Sequence, residues 1–565
     1  MEASRVEEPL RGRGGSPSSP PLTFTLDAYA ARSCPVKTLH ALTHPSERAP
    51  SGLSFPGAAE FTAGAFATIT AAEGTVDLRG LSHSSSEAEE AACLAALNAG
   101  APVIVGGLLP RDWDGHRRSR VELLIRTTDG YLPGVVKFQR ALDPRRDDRE
   151  FVYSPVTELG APRTTTGWRY RWNWRWANAV QLAHQWELLR ATGFATARPT
   201  GVVIGTDLID HCGLVATWLD LTEPALSPTT EGADPSALVS ALERYHLQFA
   251  ERVDIAERAL TGAEPPEGLL PPIVTSECRY CEWWSTCRPL LDDDDLSLRV
   301  SKSPLSRLEV SGLRAAGVHT VAQLADADID ELLPRYLPLV AYRQGAEDRL
   351  RLTQRRSRLL VDGLELARLT EGPIPLPTSA VEIDIDIETS REDRVYLWGF
   401  WVRADGAEYY RHFSSFTDLD DAGELELAVA AMSWLAELAA QADIRVYHYS
   451  DYELVRIARL AASGHPGMTW ASDFARDHFV DLFEIVRTHY FGANGLGLKV
   501  VAQSAAGFHW RDNEPGGLNS MGWFDTAVHA DDPEERSVAQ QRVLWYNEDD
   551  VRATAQLRDW LRQQS

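Results

Sequence analysis

Residues 381–390 read VEIDIDIETS. In an extended strand, side chains two residues apart share a face, so Glu382, Asp384, Asp386 and Glu388 point one way while Val381, Ile383, Ile385 and Ile387 point the other. One face is core and the other is charge. Four carboxylates on one side of a buried strand repel each other and resist desolvation, so they persist only where cations or pKa shifts compensate them. Divalent metal binding is the economical explanation, against the plainer alternative of an acidic, solvated edge strand.

A second segment, VLWYNEDDVRATAQLRDWL, spaces Val543, Leu544, Val551, Ala553, Leu557 and Leu561 roughly as an amphipathic helix. Tyr546 and Asp550 then stand four apart on one face. A strand with Asp-x-Glu and a late helix with Tyr-x-x-x-Asp resembles the DnaQ-like, or DEDD, exonucleases of the RNase H-like superfamily. Between them, VYHYSDYELVRIARL runs from a strand-like stretch into a helical pattern and resembles that family's middle motif. Tyr449 stands at its Asn position and Glu453 at its Asp position, with Asp451 as competitor. Asp481 in FVDLFEIVRTHY and the helix-like LGLKVVAQSAAGFHWRD read as scaffold.

Hard Mg2+ or Mn2+ ions prefer oxygen ligands, and two of them about 4 Å apart activate a water and stabilise a leaving oxygen at phosphorus. The resemblance implies that Asp386, Glu388 and Asp550 hold the ions, that Tyr546 orients the attacking water, and that Glu453 completes the catalytic set. Asp384 and Asp386 form a competing Asp-x-Asp pair on the same face; the family favours Asp386 with Glu388.

At 565 residues the chain is long enough for two to four domains. Its net charge is −25, and residues 381–565 hold 32 acids against 16 bases. Gross electrostatics in that region repel nucleic acid, so contacts must come from local patches and from metals. No run of eighteen apolar residues appears, no membrane segment is expected, and residues 1–22 read as a polar, disordered leader. A cytoplasmic location is expected. There is no phosphate-binding G-x-x-x-x-G-K-S/T loop, so any helicase motor belongs to a separate partner. Oligomeric state is not legible.

Six cysteines in so long a chain do not make a disulfide scaffold. Cys278, Cys281 and Cys287 form C-x2-C-x5-C, and Cys34 is the best fourth ligand although it lies over 240 residues away. Four thiolates hold zinc or an iron-sulfur cluster, and spacing does not choose. Cys93 and Cys212 read as core residues. One early cysteine and a late C-x2-C-x5-C enclosing a nuclease-like region is similar to the iron-sulfur RecB-like nucleases, of the PD-(D/E)xK type. That resemblance implies a structural 4Fe-4S cluster clamping the ends of the fold.

Inside the enclosure the expected chemistry is damaged. The family's metal-binding Asp falls at Glu122 and its lysine at Lys137, but Val135 stands where the second acid belongs. Gln181 is kept from the Gln-x-x-x-Tyr motif, Gln185 replaces the tyrosine, and His83 stands for the early histidine. The degenerate site of Glu122, Lys137 and Gln181 points to a module that binds without cutting. TTGWRYRWNWRWANAV interleaves Arg169, Arg171 and Arg175 with Trp168, Tyr170, Trp172, Trp174 and Trp176, which in strand spacing puts all five aromatics on one face. Phosphate and base contacts, or a buried aromatic strand with solvated arginines, both fit.

The expected architecture is α/β and multidomain: a leader (1–22), a RecB-like restriction-endonuclease fold closed by the four cysteines (23–295), a helical linker with a helix-hairpin-helix-like turn at Gly317 (296–375), and an RNase H-like domain (376–565). The expected activity is metal-dependent cleavage of DNA or RNA, 3′–5′ by family resemblance. The alternative is an inert nucleic-acid-binding adaptor in DNA repair or defence.

Overall fold

A computed structural model describes residues 23–44, 57–81, 85–209, 212–229, 234, 236–262 and 270–564. The leader and His83 lie outside the described residues. Among those described, no helix is long and apolar enough to cross a membrane. The architecture is mixed α/β and multidomain.

The first large sheet has eight strands in the order Val76–Asp77, Val103–Val105, Leu123–Arg126, Tyr131–Val136, Thr200–Leu208, Leu214–Asp220, Phe151–Pro155, Arg163–Thr165. Tyr131–Val136 and Thr200–Leu208 pair in parallel, with the helix Trp172–Ala191 lying between them in the chain. This helix corrects the strand spacing expected for the Trp/Arg segment. Only Trp168–Tyr170 is extended, and Trp172, Trp174 and Trp176 fall in the first turns of the helix, so the five aromatics do not share a face. The apolar run Ala179, Val180, Leu182, Ala183 buries against Val135 and Val203, and the turn that carries Trp172 and Trp174 joins this helix across a kink at Arg175.

A helical region follows. Arg307–Ala315 and Val321–Asp326 are joined through Gly317, whose φ of 91° is open to glycine at little cost. Val310, Leu313, Val321, Leu324, Leu332 and Leu350 make its core.

The second large sheet has five strands in the order Ala407–Ser414, Val395–Ala404, Val381–Thr389, Ile444–His448, Phe479–Asp481. The first three are antiparallel and the last two run parallel to the central Val381–Thr389 strand. Ile383, Ile385 and Ile387 pack with Ala428, Met432 and Leu435 of the Asp421–Ala439 helix and with Ile457. The opposite, acidic face is covered by the 30-residue helix Pro533–Arg562. That helix starts well: Asp532 accepts from the Glu534 amide, Pro533 stands at its first position, and Glu534 and Glu535 meet the positive end of the helix dipole.

Candidate metal centre

Strand residues two apart are separated by about 6.6 Å, and helix residues four apart by about 6 Å. The central strand and the last helix therefore stay in step as they cross. Glu382 meets Arg562 at 2.9 Å, and Asp384 meets Arg558 at 2.8 Å with both side chains fully buried. One step further the helix offers Thr554 and Asp550 instead of arginine, and the cation supply ends. Asp386 and Glu388 are left facing a third carboxylate.

Oxygens of Asp386, Glu388 and Asp550 all lie within 4.8 Å of one another. Ligands on opposite sides of one Mg2+ are about 4 Å apart, so the three carboxylates fit a divalent ion after small side-chain movements. Asp384, the competitor for this role, is occupied by Arg558.

The trio is held by a polar shell. Ser520 Oγ donates to Glu388 at 2.7 Å, Trp510 Nε1 donates to Asp550 at 2.6 Å, and Asn547 Nδ2 donates to Asp386 at 2.8 Å. Asn547 reaches Asp386 across the neighbouring strand only because Gly399 stands opposite, where a Cβ would come 1.6 Å from its Oδ1. Lys499 Nζ donates to the Tyr546 hydroxyl at 2.7 Å and stands 3.6 Å from Asp550.

One ammonium does not balance three acids. Burial, then Asp550, Glu388 and Glu453, drive the Asp386 carboxyl well above its usual range. Burial and Asp550 push Glu388 up to about 8, and burial raises Asp550 despite Lys499. These carboxyls hold a proton more tightly in the folded chain than in the unfolded one, so from about 4.5 to about 8 metal-free stability falls as pH rises. In chelator, the melting temperature of the wild type should therefore lose ground to Glu388→Gln between pH 5 and 8, by at least about 2 °C. Mn2+ at pH 8 should reverse the order; parallel pH curves for the two proteins would contradict this picture.

Glu453 is not brought into the trio. It is buried beside His448, 3.8 Å away, with one oxygen unpartnered, and burial followed by Asp481 and Asp451 pushes it up to about 8. Its charge still reaches Asp386. Asp481 caps the Leu482–His489 helix through the Phe483 amide, and the Tyr449 hydroxyl donates to the Leu496 carbonyl.

In the N-terminal module, Lys137 Nζ stands 2.5 Å from Glu122, whose other oxygen accepts from the Val136 amide at 2.7 Å. Acid and lysine neutralise each other. Val135 is wholly buried in the core, and Gln181 is buried with its carbonyl unpartnered. Of the aromatic-arginine segment, Trp174 is 75% exposed and Arg169 is exposed, whereas Arg171 pairs with Asp143 at 3.0 Å and Arg175 donates to the Arg140 carbonyl at 2.9 Å. Trp172 packs at the core margin.

Cys34, Cys278, Cys281 and Cys287 line a single small pocket with His40 and Trp283. The Thr275 amide donates to the Cys278 sulfur at 3.3 Å, the Val36 and Trp283 amides face the Cys34 and Cys281 sulfurs, and His40 Nε2 lies 3.4 Å from that of Cys287. Cys93 is buried in the core, while Cys212 is only half-buried, near Tyr153 and Arg163.

Sequence reading overlooked Arg558, Arg562, Asn547, Ser520, Trp510 and Lys499. For the arginines a signal existed: Asp550, Thr554, Arg558 and Arg562 follow each other at four-residue spacing, opposite to the alternating acids. Ser520, Trp510 and Lys499 come from separate segments with no pattern linking them. No curated protein and no solved structure matches the chain. Residues 384–562, which run from the buried acid paired with Arg558 to the arginine at the helix end, match the RNase_H_2 family of the RNase_H superfamily. This region is an RNase H-like domain, consistent with a nuclease hydrolase that uses divalent metal on nucleic acid.

Proposed function

We propose that the chain is a metal-dependent 3′–5′ exonuclease of DNA or RNA, working through the trio Asp386, Glu388 and Asp550, with the N-terminal RecB-like module binding nucleic acid without cutting it. The single observation that carries the reading is the convergence of three carboxylates within 4.8 Å, Asp386 and Glu388 from a strand and Asp550 from the last helix, with Lys499 beside them. Unpaired buried carboxylates are costly, and a bound cation makes them favourable.

Two Mg2+ or Mn2+ ions at such a site supply an activated water and charge stabilisation at the leaving oxygen. Asp386 and Glu388 present oxygens from one rigid strand, and Ser520 fixes the orientation of Glu388. Asp550 closes the site from the helix, held by Trp510. Tyr546 accepts from Lys499 and its hydroxyl hydrogen-bonds to Asp550, which holds the phenol at the edge of the trio, where it would orient the attacking water. Glu453 lies outside the trio and acts on Asp386, when ionised, through its charge rather than by ligation.

The test is incubation of labelled single- and double-stranded DNA and RNA with the protein in Mg2+, Mn2+ or chelator. Shortening from the 3′ end with either ion and none in chelator is expected. An inert adaptor is the second reading, favoured by the closed Glu122–Lys137 pair and by the position of Glu453 outside the trio. Binding without cleavage in any divalent ion would establish the adaptor and remove the enzyme.

The four cysteines we assign to a 4Fe-4S cluster, with zinc as the alternative. Amide donors aimed at the sulfurs suit thiolate ligands in either case. Among the described residues the thiols do not form a group within 4.8 Å of one another, whereas sulfurs around one zinc are about 3.8 Å apart. Protein purified without oxygen should absorb near 400 nm, a figure of about that size for iron-sulfur ligation, and contain iron and sulfide. Stoichiometric zinc would overturn the assignment.

A further inference from the structure

Between the N-terminal module and the helical region lies a cleft of about 610 Å³, within the range of about 300–1,000 Å³ typical of ligand sites. Its walls carry Arg32, Arg244, Arg252, Arg307 and Arg343, against two acids, Glu251 and Glu277. Both acids are engaged. Glu251 pairs with Arg252 at 2.5 Å and Arg307 at 3.5 Å, and Glu277 pairs with Lys37 at 2.9 Å. Arg252 also donates to the Ala30 and Ser33 carbonyls, so it belongs to the framework.

Arg32 and Arg244 are different. Among the described residues neither has a carboxylate within ion-pair distance, and the Nε of each is shut from solvent without a hydrogen-bond partner. Arg343 shares the orphaned Nε and has only Glu309, at 3.5 Å. Burial alone lowers Arg244, to about 10. The Arg244 guanidinium lies over the Trp176 ring, 4.0 Å from its centre, a contact that holds it in place by cation–π attraction. In a chain of net charge −25, a cleft whose five arginines outnumber its two acids is an exception that the fold maintains at a cost.

We propose that this cleft is a second nucleic-acid site, separate from the metal centre, in which Arg32, Arg244 and Arg343 hold successive phosphates of a single strand. Planar guanidiniums take phosphate oxygens in bidentate fashion, and a basic groove with an aromatic wall is the arrangement that tracks a single-stranded backbone. Arg307 faces the Cys34 sulfur as well, so part of the cationic wall is shared with the cysteine site. The inference rests on the reading that the chain acts on nucleic acid, but not on its cutting it.

The experiment is fluorescence anisotropy of a labelled oligothymidylate in chelator over a salt series, using the full chain with its metal content measured. Arg32→Ala/Arg244→Ala should bind at least about tenfold more weakly, with a salt slope shallower by about 1.4, two phosphates at about 0.7 each. Arg476→Ala, at an exposed arginine that does not line the cleft, should bind as the wild type does. Wild-type affinity and slope in the double variant would overturn the proposal. If the double variant loses its metal or its helical signal, Arg343→Gln decides: its slope falls by about 0.7, or the proposal is wrong. Inorganic phosphate competing as well as the oligonucleotide at equal ionic strength would also overturn it, leaving a small-anion site. Cleavage in Mn2+ is scored on the same samples; binding that follows this pattern without any cleavage removes the nuclease reading alone.

Discussion

Asp386→Ala is expected to lose divalent-ion-dependent degradation by on the order of a thousandfold or more, since several kcal/mol of charge stabilisation depend on the metal site and each 1.4 kcal/mol or so is a factor of ten. The same substitution should leave the metal-free protein folded and somewhat more stable. It removes one of three mutually repelling carboxylates, at the cost of the Asn547 hydrogen bond. Asp386→Asn separates the two effects, because an amide still accepts from Asn547 but is a poor partner for a hard cation. Both variants should also lose the extra thermal stability that Mn2+ gives the wild type. Undiminished cleavage by either variant would place the chemistry elsewhere in the chain.

The second large effect is on stability. Arg558→Ala should cost about 3–5 kcal/mol, the usual result of stripping one partner from a buried ion pair, because Asp384 would be left fully buried without its 2.8 Å guanidinium. Arg562→Ala should cost far less, since Arg562 reaches the surface and water can replace it beside Glu382. The double variant Asp384→Leu/Arg558→Met should recover most of the loss, because two apolar side chains leave no charge unpaired. Urea unfolding of the wild type, Asp384→Leu, Arg558→Met and the double variant gives the coupling between positions 384 and 558. Additive losses, with no recovery in the double variant, would show that Arg558 stabilises by packing alone. This pair also explains why the central strand needs only part of its acidic face for metal: two of its four carboxylates are neutralised internally, and the remaining two are held for another purpose.

The period of the sequence was enough to orient the central strand and the last helix. Alternation at VEIDIDIETS put the isoleucines on one face and the carboxylates on the other, and the amphipathic helix spacing put Tyr546 and Asp550 together, as the structure has them. The aromatic-arginine segment misled for the opposite reason. WRYRWNWRW alternates by composition, yet its second half turns helical, because the apolar residues that follow at helical spacing have a core to enter. The cysteines could be grouped by type and spacing, and they line one pocket.

For the central strand and the last helix, local pattern thus determined the element type and which face carries charge, since those properties depend on side-chain direction along one segment. Whether a given carboxylate meets an arginine or another acid depended on how the last helix crosses the central strand, and a nearest-neighbour pattern contains no information on that crossing. The same holds for Lys499, Trp510, Ser520 and Asn547 around the trio, and for Arg32, Arg244 and Arg343 around the cleft. Their partners, or lack of them, are set by segments tens to hundreds of residues away, brought close by burial of the apolar faces and not by any attraction between the polar groups themselves.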